Sequence, residues 1–342
     1  MDRVSQAVKD LVEEIQRMPE APDPAETDRH AFTLLLSGIA ACRRAPGIPC
    51  HMGYRTLYRC GDEPASEELK AHLFRLYGIY DRESLEKVCM EQFTSGREYE
   101  QFMTFWCDAP LFDLEELEEK GRRAFETRFK RASLFRPYVG ERGFYAWDIN
   151  ERIGLGRLAC ACSIIDRETF DELTDYQVRK AQVFYHTFKD YAVSCICGAV
   201  YDVPGGDEED MLSFLDLNRK LALHLLEEGG AWYRNAWYAP EKRERVSLLP
   251  HNGGCIVSKQ IEEGRAIGYM YRDSRPSEQW ADTGWRFFAG DESDEYSRNP
   301  DNFTIWSLND ICNLDATILG YAEAKEGSAF GRNAKGEWQR ER

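Results

Sequence analysis

Apolar residues in the first part of the chain recur at intervals of three and four positions. Val4, Val8, Leu11 and Ile15 lie on one side of a helix drawn over residues 4–17, because 3.6 residues complete one helical turn. The same spacing predicts a second helix over about residues 30–44. It continues, with interruptions, to about residue 245. We therefore predict a mostly helical N-terminal domain that spans residues 1–245.

Capping residues predict where several of these helices begin. Ser66, Asp81, Ser95 and Asp166 each precede a helical pattern, and such side chains accept hydrogen bonds from the free N–H groups of a first turn. A charged stretch over residues 113–129 predicts a further helix that lies on the surface.

The pattern changes after about residue 246. Four short apolar runs are separated by Gly, Pro, Asp and Asn, which is the rhythm of strands bounded by turns. The runs are Cys255–Val257, Ile267–Tyr271, Trp285–Ala289 and Phe303–Trp306. Ser307 then caps a predicted short helix. Residues 246–342 are predicted to form a small α+β domain with a mainly antiparallel sheet, whose polar tail after residue 331 frays.

The charge of the chain restricts its partners. A net charge of −16 over 342 residues argues against nucleic acid, since binding to phosphates needs a basic patch. The same charge is compatible with a basic protein partner, but from composition alone simple solubility is the favoured explanation. No apolar run approaches the ~18 residues of a membrane span. Eleven scattered cysteines and a charged N-terminal stretch predict reduced thiols in a cytoplasmic protein.

No motif in the chain predicts catalysis. The HExxH, GxSxG and phosphate-loop patterns are missing from the sequence, so we expect no enzymatic activity and no cofactor. Cys160 with Cys162, and Cys195 with Cys197, form two closely spaced pairs. Residues two apart on a helix point in nearly opposite directions and do not chelate one ion. We predict core thiols instead of a metal site.

The helical part contains three sequence segments that carry a family resemblance. They are LYGIYDRESLEKV, AWDINERIGLGRLACACSIID and FKDYAVSCICGAVYD, within about residues 65–203. In these segments the chain resembles domain of unknown function twelve sixty-six. The resemblance implies a helical fold and no particular chemistry.

The second of these segments, AWDINERIGLGRLACACSIID, also indicates how its helix is expected to pack. Ile149, Ile153 and Cys160 form one stripe with Gly156 in its middle, and a glycine lets a neighbouring helix approach closely. Asp148 and Arg152 are four positions apart and can pair. Together with Arg157 they are candidates for the rim of a pocket. Such a pocket would support one possible function, in which the helical domain is a small-molecule or regulatory sensor and the C-terminal domain its structural companion.

The C-terminal part contains four further sequence segments that carry a second resemblance. They are CIVSKQI, GYMYRD, GWRFFAGDESDEY and IWSLNDICNLDATIL. This stretch resembles immunity protein family thirty-three, also known as domain of unknown function twenty-one eighty-five. The resemblance implies a bacterial α+β module of the toxin–immunity type, which binds and silences a partner toxin without catalysing a reaction.

Two features of this module are candidates for contact with a protein. An acidic stretch from Asp291 to Glu295 is either a solvated loop, a recognition loop for a basic surface, or a calcium site, although its spacing lacks the usual calcium framework. Alternation along a strand places Trp285 and Phe287 on one sheet face, and Arg286 and Phe288 on the other. These rings either fill a small core or stand on an exposed binding face.

The main functional prediction is therefore a non-enzymatic immunity-type protein that occludes a protein partner, such as a basic toxin, through its C-terminal domain. The identity of the toxin and the oligomeric state do not follow from the sequence. The predicted partner-binding residues are Arg272, Trp285, Arg286, Asp291, Glu292, Asp294, Glu295 and Tyr296.

Overall fold

The computed structural model describes residues 2–44, 53–93, 95–204, 207–240, 244–250, 252–274, 277 and 281–341. Proximity of Cα atoms divides the chain into two compact units. The helical unit comprises Met1–Tyr99 and Arg123–Glu244, and the sheet unit comprises Glu100–Arg122 and Arg245–Arg342. The predicted domain limits of 1–245 and 246–342 stay a prediction.

Twelve helices precede the first strand in the described part of the chain. They are α1 Asp2–Arg17, α2 Arg29–Leu36, α3 Gly38–Arg44, α4 Glu63–Tyr77, α5 Arg82–Glu91, α6 Ser95–Trp106, α7 Glu119–Val139, α8 Tyr145–Ala161, α9 Arg167–Phe184, α10 Phe188–Tyr201, α11 Glu208–Leu226 and α12 Ala231–Arg234. Short 3-10 turns lie at Leu114–Glu116 and Gly140–Arg142. None of the helices in the described residues is long and apolar enough to cross a membrane.

Several predicted helix boundaries are confirmed and others are wrong. Asp81 and Asp166 cap α5 and α9 as predicted, each accepting a backbone N–H of the first turn. The helix predicted over 30–44 is interrupted at Ser37, whose hydroxyl donates to the Leu34 carbonyl. Asp62, and not Ser66, caps α4. The helix predicted over 113–129 begins at Glu119 and continues to Val139.

Helix α8 is the centre of the helical unit. Every residue from Tyr145 to Ala161 is buried except Arg152, which is half-buried. The predicted close approach at Gly156 is confirmed, because a Cβ atom there would lie 3.2 Å from the Phe170 ring of α9. On the other side, Gly198 of α10 lies so close to Trp147 that a Cβ atom would overlap that side chain.

Polar side chains inside this unit are tied to the backbone of neighbouring helices. Asn150 accepts the Ala40 amide at 2.9 Å, and its own amide donates to Glu151 at 2.8 Å. Glu151 also pairs with the Arg43 guanidinium. A buried ion pair is weak evidence for stability, because the cost of removing both charges from water offsets their attraction.

The two cysteine pairs lie in the core of the helical unit. Cys160, Cys162, Cys195 and Cys197 are at most 3% exposed. Burial raises the pKa of the Cys162 thiol to about 11, so this thiol is protonated at neutral pH. None of the ten cysteines that the structure describes forms a disulfide, and Cys50 lies outside the described residues. Among those residues no group of three His, Cys, Asp or Glu side chains could hold a metal ion.

The sheet unit contains a six-stranded mixed sheet. Its strands are β1 Gly254–Ser258, β2 Tyr269–Arg272, β3 Asp282–Phe288, β4 Phe303–Ser307, β5 Ala329–Arg332 and β6 Trp338–Arg340. Their order is β4-β1-β3-β2-β5-β6, in which β1 and β3 are parallel and every other pair is antiparallel. This confirms the predicted fold class, a helical region followed by a small α+β domain with a mainly antiparallel sheet.

The four predicted strands are all present, within two or three residues at their ends. The predicted fraying after residue 331 is wrong, because β5 and β6 pair with each other and β5 pairs with β2. Ser307 caps a helix as predicted, since its hydroxyl accepts the Asp310 amide at 3.0 Å. The helices of this region are α13 Lys259–Glu262, α14 Asp294–Arg298 and α15 Leu308–Leu314, with 3-10 turns at Pro300–Asn302 and Ala316–Tyr321.

Two glycines sit where the β2–β3 ladder ends. Gly268 donates its amide to the Phe288 carbonyl at 3.0 Å, and a Cβ atom at Gly268 would overlap the Ala289 carbonyl oxygen. Gly290 has a φ of 100°, which side-chain-bearing residues rarely adopt. The two strands therefore approach more closely here than a side chain permits.

Candidate partner-binding surface

Strand β3 separates the two faces of the sheet. Trp285 and Phe287 are fully buried and their rings lie 5.8 Å apart, nearly parallel. The indole N–H of Trp285 donates to the Ala322 carbonyl at 2.9 Å. Arg286 and Phe288 lie on the opposite face, so the predicted alternation is confirmed. The core therefore lies on the Trp285 side, and the other side is the candidate surface.

Aromatic rings cover much of that other side. Phe288 stacks on Tyr271 at 5.9 Å and lies 6.1 Å from Tyr269. Its other edge meets Phe303 at 5.5 Å, and Phe303 in turn meets Tyr296 at 6.0 Å. All five side chains are half-buried. Rings in a fully packed core are buried. These five rings are not, so each keeps solvent-accessible surface that a partner could contact.

Two isoleucines continue the apolar surface toward the edge of the sheet. Ile256 of β1 pairs with Ile305 of β4 on one side and with Arg286 on the other. Ile305 is 60% exposed, which is uncommon for a large aliphatic side chain on a strand. We call this surface the open sheet face. Its residues are Ile256, Tyr269, Tyr271, Arg286, Phe288, Tyr296, Phe303 and Ile305.

An ion pair lies beneath the rings of the open sheet face. The Arg286 guanidinium donates two hydrogen bonds of 2.8 Å to the Asp282 carboxylate, and Asp273 lies 3.7 Å away. Burial alone would raise the pKa of Asp282, but hydrogen bonds from Arg286 and from the Ser277 and Gly284 amides outweigh it and lower that pKa. The Arg286 side chain is 8% exposed, so its charge is largely neutralised inside the protein.

Arg272 holds backbone in place from its own strand. Its Nε donates to the Thr283 carbonyl at 3.0 Å, and its Nη1 donates to the Ala324 carbonyl at 2.6 Å. The side chain thereby connects β2 and β3 with the turn that leads into β5. These contacts give Arg272 a structural role that the sequence did not predict.

The acidic stretch divides into two parts. Asp291 forms an exposed ion pair with Arg265, and Glu292 turns back to accept the amides of Ala289 and Gly290 at 2.7 and 2.8 Å. Burial raises the pKa of Glu292, but the bonds from these amides and from Ser258 lower it overall. Glu292 therefore stabilises the loop in its ionised form.

The second part carries exposed charge. Asp294 and Glu295 form the first turn of α14 and are exposed, as is Asp301 beyond it. Tyr296 of the same helix is half-buried, and its hydroxyl donates to the Asn302 carbonyl at 3.2 Å. Residues 291–301 carry five carboxylates against one arginine. We call this stretch the acidic rim, since Tyr296 joins it to the open sheet face.

The eight residues predicted to bind a partner are thus distributed over three environments. Trp285 is in the core, and Arg272 and Arg286 are engaged with carbonyl and carboxylate groups. The acidic residues and Tyr296 lie at the surface. The assignment of all eight to partner binding stays a prediction. Alternation along β3 could have added Phe288 to the predicted partner-binding residues. Tyr271, Phe303 and Ile305 could be added only once the register of the strands was known.

The three residues predicted to ring a pocket in the helical unit separate in the structure. Asp148 and Arg152 line a cavity of about 290 Å³ beside α8. Arg157 is 2% exposed and points elsewhere, donating to the Leu34 carbonyl at 3.2 Å, to the Ser37 hydroxyl at 2.9 Å and to the Gly53 carbonyl. It therefore fixes the end of α2.

Comparison with known families gives two matches. Residues 255–342 match the Immunity protein Imm33 domain, and residues 72–237 match the family described as Protein of unknown function (DUF1266). Both resemblances predicted from the sequence are confirmed, and the second match extends beyond the predicted limit at residue 203. No curated protein and no solved structure matches the chain. The first match begins in β1 and includes every residue of the open sheet face.

Proposed function

We propose that this chain is a non-catalytic immunity-type protein that binds a basic partner protein, a toxin, through the open sheet face and the acidic rim. The match of residues 255–342 to an immunity protein domain supports the class of function. The observation that carries the choice of surface is the group of half-buried rings beside the exposed Ile305.

The composition of the surface suits recognition of a protein. Aromatic residues are enriched at the centres of protein interfaces, because they bury a large area and lose little conformational freedom. The rings from Tyr269 to Phe303 are already ordered by contacts with one another. Partner binding therefore costs less side-chain entropy than it would on a surface of flexible side chains.

The charge of the module suits a basic partner. Residues 255–342 contain sixteen Asp and Glu against eleven Lys and Arg, and five of these carboxylates lie within the acidic rim. Charges at the rim of an interface mainly raise the association rate and exclude wrong partners. The buried pair of Arg286 and Asp282 lies under the rings, where it shapes the surface instead of attracting a ligand.

Growth rescue combined with direct binding tests this proposal. The full chain is co-expressed in a bacterial host with the product of a neighbouring toxin gene, and the purified pair is measured by calorimetry. Ile305→Asp should abolish rescue and weaken binding at least about 100-fold, because it places a charge within an apolar contact. Leu314→Asp is the matched control, since Leu314 is 55% exposed on helix α15, and it should retain both.

Two results would contradict the proposal. In the first, both variants protect the host as the natural chain does, which would remove the open sheet face from the interaction. In the second, the natural chain consumes a substrate when it protects the host, which would replace occlusion by catalysis. Thermal denaturation of each variant separates loss of binding from loss of folding.

A further inference from the structure

Residues of helices α5, α6, α8 and α9 line a groove that the proposed protein-binding function does not use. One cavity of about 350 Å³ and another of about 290 Å³ share the side chains of Met90, Arg152 and Gln177, so they are two ends of one site. The volume of the larger cavity lies in the range of small-molecule pockets. Every residue that lines them belongs to the helical unit.

One end of the groove is apolar. Leu85, Cys89, Met90 and Leu173 line the larger cavity, and Gly156 leaves room at its floor. Glu86 also reaches this end, where the exposed Arg82 pairs with it at 2.7 Å. Met90 is 54% exposed, so the apolar end is open to entry from solvent.

The other end is polar and carries an excess of positive charge. Arg97, Arg152 and Lys180 line it together with a single carboxyl group, that of Asp148. The Lys180 ammonium lies 3.7 Å above the Tyr145 ring, and the Arg152 guanidinium donates to the Phe93 carbonyl. Three cations facing one acid favour an anionic ligand over a cationic one.

Two buried atoms at this end lack hydrogen-bond partners within the described residues. Asp148 is 5% exposed, and although its Oδ2 accepts the Gly96 amide at 3.1 Å, its Oδ1 accepts nothing. The Nε of Arg152 likewise donates to no acceptor. Buried polar atoms without partners are rare and costly, which indicates that something else meets them.

We propose that this groove binds a small amphipathic carboxylate, whose head group meets Arg152, Lys180 and Asp148 and whose apolar tail occupies the cavity beside Leu85 and Leu173. The ligand's carboxylate supplies an acceptor for the free Nε of Arg152. Its tail displaces water from the apolar end, which is favourable in proportion to the apolar area covered.

The state of Asp148 is compatible with a bound carboxylate. Burial raises the pKa of Asp148 to about 6, against the opposing effects of Arg152, the Gly96 amide and Lys180, with Asp202 adding to the rise. A protonated Asp148 donates a hydrogen bond from the oxygen that now lacks a partner. Below a pH of about 6, where it keeps this proton, Asp148 therefore pairs with a carboxylate instead of repelling it.

Calorimetric titration of the full chain with octanoate tests this assignment. Octanoate should bind with one-to-one stoichiometry, while acetate, which has only the head, and octylammonium, which has the opposite charge, should each bind at least about tenfold more weakly. Lys180→Gln and Arg152→Gln should each weaken octanoate binding about tenfold or more. Leu173→Trp should fill the apolar end and abolish binding.

The matched control is Arg59→Gln, because Arg59 lines a different cavity of the helical unit. It should bind octanoate as the natural chain does. Circular dichroism and thermal denaturation of each variant establish whether it is folded. If Arg152→Gln does not fold, Lys180→Gln, at a half-buried position, tests the polar end of the groove in its place. Equal binding of octylammonium, binding that survives Leu173→Trp, or no binding of octanoate by the natural chain would each overturn the assignment.

Discussion

The guanidinium of Arg286 holds the carboxylate of Asp282 with two hydrogen bonds of 2.8 Å on the same face of one strand. The two side chains are 8% and 0% exposed. Asp282 also accepts the amides of Ser277 and Gly284 at 2.8 and 2.9 Å. The pair thus joins the start of β3 to the residues before it and supports the rings above.

Asp282→Asn should destabilise the protein by about 3 kcal/mol, because it leaves the Arg286 charge buried without its partner. Urea denaturation followed by tryptophan fluorescence measures the change. The pKa of Asp282 is lowered in the folded state, so its contribution is present above the ordinary pKa and is lost as the pH falls through the folded value. The difference between variant and natural chain should therefore shrink in acid.

An exposed pair provides the comparison for that substitution. Arg265 and Asp291 lie 2.6 Å apart, with side chains 46% and 64% exposed. Arg265→Gln should leave the denaturation midpoint unchanged, because water and salt screen exposed charges. If both substitutions had the same effect, the burial of Arg286 would not be what makes its pair matter.

Arg157→Met should destabilise the helical unit by about 3 kcal/mol without affecting octanoate binding. The substitution removes the donor that serves the Leu34 carbonyl and the Ser37 hydroxyl, and unpaired buried polar groups are costly. Arg167→Met, at a side chain 62% exposed, should change little. Denaturation and calorimetry on the same variants measure the two effects separately, and a loss of octanoate binding in folded Arg157→Met would return this residue to the groove.

Asp148→Asn should change how stability depends on pH. The folded pKa of Asp148, about 6, lies above its ordinary value of 3.8, so the folded state holds this proton more tightly. The natural chain therefore loses stability as the pH rises from about 4 to 6, by up to about 3 kcal/mol. The asparagine variant lacks this loss, and its stability relative to the natural chain should rise over that interval in urea titrations at several pH values.

Reversing charge in the acidic rim should slow association with a basic partner. Glu295→Lys should lower the association rate about tenfold at low salt and leave the dissociation rate nearly unchanged, because rim charges act mainly during approach. Glu326→Lys, at an exposed position outside the rim, changes the net charge equally and should have a smaller effect. Stopped-flow or surface-plasmon measurements at two salt concentrations check this, and equal slowing would show that only net charge matters.

The elements with strong local signals were predicted from the sequence. The stripe from Val4 to Ile15 became α1, and Asp81, Asp166 and Ser307 cap helices as expected. These signals depend on residues a few positions apart. The interruption at Ser37 was missed, and one of the contacts of its hydroxyl, the donor Arg157, is far away in the sequence.

The parts that depend on distant pairing were not predicted. β5 and β6 contain four and three residues, too few to show alternation, and β5 is fixed by pairing with β2. For the same reason, alternation separated Trp285 from Arg286 but did not indicate which of them faces the core. That choice is made by the helices and turns that pack on the Trp285 side, such as the turn carrying Ala322.

Position 268 shows how one backbone contact limits the evolution of the whole module. Since even a methyl group there would overlap Ala289, none of the nineteen other amino acids fits while β2 and β3 remain paired. Tyr269 and Tyr271 can vary in chemistry as partners change, whereas Gly268 cannot. In a library of variants selected for protection of the host during growth, residue 268 should remain glycine while the neighbouring tyrosines diversify.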